Sequence, residues 1–135
     1  HRAIHVAGEL NKLAAVQRRR FEALSSDRRQ VVAYHDSVVY LVDWLALTQV
    51  AFIEPKPGIP PSPGHVAKVL ARMRETGTRV ILQERFYPAN TSQQLASLGK
   101  ASLVRLDGAP DFEGGQRYDA WTKAIADEVY DALSR

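Results

Sequence analysis

The chain has 135 residues, 45% of them hydrophobic and 24% charged, which supplies apolar material for one core and not for two. It contains no cysteine, which excludes a disulfide framework, a thiolate metal site and a cysteine nucleophile together. The net charge is only +3, and the clustered arginines Arg18, Arg19, Arg20 and Arg28, Arg29 lack interleaved aromatics, which argues against nucleic-acid binding. No stretch approaches the ~20 apolar residues of a membrane span. The opening HRAIHVAGEL has neither the basic-then-apolar layout of a signal peptide nor an initiating Met, so the chain is expected to be a processed or excised piece of something longer.

In chain order, residues 3–24 repeat apolar side chains at Val6, Leu10, Leu13, Ala14, Phe21 and Leu24, near a 3.6-residue period, which predicts one long amphipathic helix broken at Ser25-Ser26-Asp27. VVAY (31–34) then reads as a strand, SVVYLVDWLAL (37–47) as a helix capped by Asp36 or Ser37, and VAFI (50–53) as a second strand. EPKPGIPPSPG (54–64) holds five of the seven prolines and must be an extended loop. Ser62 caps the following helix, with Pro63 suited to its first turn and Gly77 to its stop. RVILQ (79–83) is a third strand, NTSQQLASLG (90–99) a short helix and SLVRL (102–106) a fourth strand. A final helix carries Trp121, Ile125, Val129 and Leu133 on one face. The alternation predicts an α/β fold: a four-stranded parallel sheet with helices on both faces, preceded by a long helix.

In such a sheet, function collects where strands exit at their carboxyl ends. Strand one exits into His35 and Asp36, strand two into Glu54, strand three into Glu84 and strand four into Asp107. An imidazole with two carboxylates suits a divalent first-row metal ion, and His35 could equally serve as a general base. No GxSxG elbow and no glycine-rich phosphate loop appear, which weakens serine hydrolysis and nucleotide binding. From the residues alone the reading stops at an α/β lobe with a metal or acid/base site.

The segments VVAYHDSVVYLVDWLAL, IEPKPGIPPSPGHVAKVLARM and TRVILQERFYPANTSQQLA, in that order and spacing, resemble the C-terminal lobe of the solute receptors of bacterial ABC importers that capture zinc or manganese. The similarity runs from about residue 3 to residue 134. The resemblance implies a connecting helix over residues 1–26 and the metal-binding lobe over 27–135, the first lobe being absent. It further implies a non-enzymatic, extracytoplasmic protein, periplasmic or lipid-anchored, whose partners are the metal ion and a membrane permease. Carried over residue by residue, His35, Glu84 and Asp107 are the implied metal ligands, with Asp111 or Glu113 as substitutes for Asp107. One histidine with carboxylates leans to Mn²⁺ by hardness, although Zn²⁺ accepts the same donors.

His65 reads as a helix surface residue, and His5 as exposed on the first helix or facing the missing lobe. Asp36 reads as a helix cap or a group orienting His35, Glu54 as a loop residue, and Phe86 with Tyr87 as a roof over the site. The rivals are a metal-dependent hydrolase lobe using His35 as base and a plain α/β interaction domain. The latter would leave His35 and Glu84 far apart. The surface left by the missing lobe should be partly apolar, so self-association is expected, and sedimentation as a monomer at high concentration would remove that expectation.

Overall fold

The computed structural model describes the backbone of residues 2–56, 58–107 and 118–135. Asp111, Glu113 and the side chain of His5 lie outside the described residues. Helix α1 (Arg2–Glu22) leads through a 3-10 turn (Ser26–Arg29) into β1 (Gln30–Ala33). A second 3-10 turn (Asp36–Val38) runs into α2 (Val39–Trp44). Then follow β2 (Thr48–Phe52), α3 (Pro63–Thr76), β3 (Val80–Glu84), α4 (Asn90–Gly99), β4 (Ser102–Leu106) and α5 (Tyr118–Leu133). Every strand pairing is parallel, in the order β2-β1-β3-β4, as the alternation of elements predicts.

Side chains alternate across a strand, and both faces of this sheet are covered. Val31 and Ala33 point to one side, where Val80, Leu82, Val104 and Leu106 pack against Phe21, Leu41, Leu45, Trp121, Ile125 and Val129 from α1, α2 and α5. Val32, Tyr34 and Ile81 point to the other, against Val69, Met73 and Leu95 from α3 and α4. Each fully buried Val, Leu or Ile contributes roughly 1.5–3 kcal/mol, so a strand lined on both sides reads as a continuous apolar run. Along α1, Phe21 is buried edge-on against Tyr130, whereas Leu13 and Val16 on the preceding turns are exposed. The expected apolar face of that helix is therefore only partly covered.

The start and stop signals of α3 behave as expected. The Ser62 hydroxyl accepts from the His65 N–H at 3.1 Å, Pro63 opens the helix, and Gly77 closes it at φ +69. Helix α2 is shorter than its sequence suggests. It stops at Trp44 because Ala46 adopts φ 55, with Leu47 N–H donating to the Val42 carbonyl at 2.9 Å and Ala46 N–H to Asp43 at 3.4 Å. This is a Schellman stop. An alanine in the left-handed region costs about 1–2 kcal/mol, and Arg29 Nη1 donates to the Ala46 carbonyl at 3.0 Å. Strand β2 consequently begins at Thr48 rather than Val50. Gly99 ends α4 as expected, but the left-handed residue is Lys100 at φ 54. Gly99 instead permits a close approach of helices, since a Cβ there would meet Met73 Cε at 2.9 Å.

Candidate metal site

Four parallel strands share one polarity, so their carboxyl ends meet along one edge of the sheet. The backbone hydrogen bonds of β1 continue past its end: Tyr34 N–H donates to Leu82 at 2.9 Å, and Glu54 N–H donates to Tyr34 at 2.8 Å. His35 thereby emerges between the ends of β2 and β3, flanked by Glu54 on one side and Glu84 on the other.

His35 is largely buried, and its two ring nitrogens meet different groups. Nδ1 lies 2.8 Å from Asp36 Oδ1 and 3.2 Å from the Ser37 backbone N–H. Nε2 faces Glu54 Oε1 at 3.6 Å. Each tautomer makes one of the two Nδ1 contacts. With the proton on Nδ1, the ring donates to Asp36 and leaves an Nε2 lone pair free to bind a cation; with the proton on Nε2, Nδ1 accepts from Ser37. A cation at Nε2 selects the first, in which Asp36 orients the ligand. Of the two expected roles for Asp36, orientation of His35 is the one its side chain occupies.

Ser37 links two residues that lie far apart in sequence. Its N–H caps His35 Nδ1, and its hydroxyl donates to the Glu84 carboxylate. His35 and Glu84 therefore share one edge and one intermediary, which is the opposite of what a plain interaction domain requires. Asp107 follows the edge strand β4, is 64% exposed and forms an ion pair with Arg85 Nε at 2.8 Å. Its contact is with that guanidinium rather than with His35 or Glu84. Among the described residues, no group of three or more His, Asp or Glu side chains is drawn together tightly enough to hold an ion.

Glu54, read from the sequence as a loop residue, is a component of this edge. Its side chain is only 9% exposed. Gly58, at φ +76, turns the proline-rich loop back so that its N–H donates to Glu54 Oε1 at 3.1 Å. Burial first, and then the neighbouring negative charge of Glu54, pushes the Tyr34 hydroxyl above its ordinary value. Only the acid at the exit of β2 signalled this role in the sequence, and it needed β2 to be the neighbour of β1. His65 is half-buried, with Nε2–H donating to the Phe52 carbonyl at 2.8 Å, which ties α3 to the end of β2.

The expected aromatic roof is present in part. Tyr87 packs on Tyr34 at 4.9 Å and lies 5.5 Å from the His35 ring, while Phe86, 4.6 Å from Tyr87, is 67% exposed. Buried Gln83 holds the loop beneath them: Nε2 donates to the carbonyls of Tyr87 at 2.9 Å and Pro88 at 3.1 Å, and Oε1 accepts from the Ser92 hydroxyl. A separate recess of about 250 Å³, lined in part by Asp27, Arg28, Arg79 and Arg135, opens at the other end of the strands, away from His35.

Solved structures share this architecture. A Mn-bound periplasmic metal binding protein from Candidatus Liberibacter asiaticus is 18% identical at a TM-score of 0.75, and its Cd-bound form is 19% identical at 0.74; the match covers 97% of this chain and 50% of each of those. A mutant laminin-binding adhesin, Lmb, from Streptococcus agalactiae is 18% identical at a TM-score of 0.71, over 94% of this chain and 47% of that one. The chain thus spans about half the length of these structures, and the likeness is that of one α/β lobe. No curated protein sequence matches it. The family model described as ZnuA, zinc-uptake complex component A, periplasmic, matches residues 1–132, and with nearly the whole chain inside that match, the chain belongs to the ZnuA family.

Proposed function

We propose that this chain is the C-terminal lobe of a solute receptor that captures a divalent metal ion outside the cytoplasm and releases it to the permease of an ABC importer. Residues 1–26 are the connecting helix and 27–135 the lobe, in a protein that is periplasmic or lipid-anchored. Its work is binding and release, not bond-making. Family membership supports this reading, as do the Mn-bound and Cd-bound states of the similar structures. The observation that carries it is the carboxyl edge of the sheet, where His35 leaves β1 beside Glu84 at the end of β3 and Ser37, two residues after His35, donates its hydroxyl to Glu84.

His35 Nε2 and the Glu84 carboxylate are the two principal donors, and Asp107 is a third once it leaves Arg85. Imidazole with hard oxygen donors suits Mn²⁺ and Zn²⁺, and the carboxylate share leans to Mn²⁺. Val39, Tyr40 and Phe86 near this edge, and Leu13 and Val16 on α1, are exposed apolar residues available to a first lobe or a second copy. Calorimetric titration of the two-lobe protein and of this chain with Mn²⁺ and Zn²⁺ tests the proposal. His35→Ala should weaken binding at least a hundredfold with the fold retained by circular dichroism. Unchanged affinity would overturn it.

A further inference from the structure

Resting on the reading of this edge as a metal site, we infer that Glu54 is a metal ligand, paired with His35 as the preformed half of the coordination sphere. Three observations carry the inference. First, Glu54 and Glu84 stand at the ends of the two strands that flank β1, whereas Asp107 follows β4, one strand further out. An ion at His35 Nε2 meets the Glu54 side first.

Second, the distance fits a shared ion better than it fits a hydrogen bond. His35 Nε2 and Glu54 Oε1 are 3.6 Å apart, beyond the usual hydrogen-bond range. Two donors each about 2.1 Å from one ion, at a near-tetrahedral angle, stand roughly 3.4 Å apart. The pair therefore needs little movement to close on a cation.

Third, the carboxylate is held in place without being neutralised. Gly58 N–H hydrogen-bonds to it, and its side chain is 9% exposed. Among the described ion pairs neither Glu54 nor Glu84 has a lysine or arginine partner, whereas Asp107 has Arg85. A sheltered carboxylate oriented by neutral donors has no fixed cation to give up before it meets a metal ion. Asp107 must first give up its guanidinium.

Two measurements on the 135-residue chain decide the matter. In carboxyl-detected NMR of the ¹³C-labelled chain titrated with Zn²⁺, the Glu54 Cδ resonance should shift together with the His35 ring and Glu84 Cδ, a readout that works even for weak binding. Shifts at His35 and Glu84 with none at Glu54 would overturn this inference alone. If none of the three moves, the metal-site reading falls and takes this inference with it. In parallel, Glu54→Gln keeps an oxygen able to accept from Gly58 while removing the charge. It should raise the Zn²⁺ dissociation constant at least tenfold, whereas affinity within twofold of the parent, in a chain that loses binding on His35→Ala, overturns the assignment. Should Glu54→Gln fail to fold, the NMR titration of the parent chain still decides.

Discussion

At the carboxyl ends of β1, β2 and β3, acidic, hydroxyl and imidazole side chains hold one another; at the amino ends, arginines hold backbone. Arg29 donates to the Ala46 carbonyl at 3.0 Å, Arg18 to Asp43 at 2.6 Å and Arg74 to Leu98 at 3.5 Å, which places three guanidiniums on the terminal carbonyls of α2 and α4. A parallel α/β layer sends every helix carboxyl terminus to the amino ends of the strands, and cations there complement unpaired carbonyls and the helix dipole. The basic end is accounted for by its own fold. The opposite end is not, since Glu54 and Glu84 are restrained by a hydroxyl, an amide and an imidazole, none of which supplies a fixed positive charge. Net negative charge held by neutral donors is the arrangement that a cation completes.

The sharpest way to break this contrast is at Ser37. Ser37→Ala keeps the N–H that meets His35 and removes only the hydroxyl on Glu84. Groups that orient ligands typically control ten- to hundredfold of metal affinity, so Zn²⁺ or Mn²⁺ binding should fall about tenfold while thermal unfolding barely moves. A large loss of stability with intact affinity would instead make the acidic edge structural.

At the other end the expectation reverses. Arg29→Met removes the donor to Ala46 and should lower unfolding free energy by about 1 kcal/mol, read by urea denaturation, with metal affinity unchanged. The smallest effect belongs to a pair at neither end. Hydrogen bonds from Lys123 first, and then from Arg20, hold the Asp127 carboxyl below its ordinary value of 3.8. Its folded value thus lies below its unfolded one, so the contribution is present above about 3.8 and is lost as pH falls through the folded value. Asp127→Asn should slightly flatten the acid limb of stability below that point and leave neutral stability within a few tenths of a kcal/mol, because the side chain is 40% exposed.

Much of the fold was legible because burial on two faces writes a strand as an unbroken apolar run. VVAY, RVILQ and SLVRL each lie within a residue or so of the strand they announce. Ser62, Pro63 and Gly77 announce α3 for equally local reasons. The end of α2 was hidden, since its left-handed residue is an alanine supported by Arg29 from outside the element. In the site, His35 and Glu84 could be picked out as strand exits. Glu54 could not be ranked above Asp107, because both follow a strand and differ only in which strand lies next to β1.

The sequence by itself determined the α/β alternation, the residues that could carry a metal and the proteins this chain resembles, because periodicity, caps and residue chemistry are local properties. Tertiary structure alone decided the order β2-β1-β3-β4, and with it which acid meets the imidazole and which meets a guanidinium. Strand order arises from how helices pack across a sheet, and that packing joins residues whose separation along the chain says nothing of their distance in space.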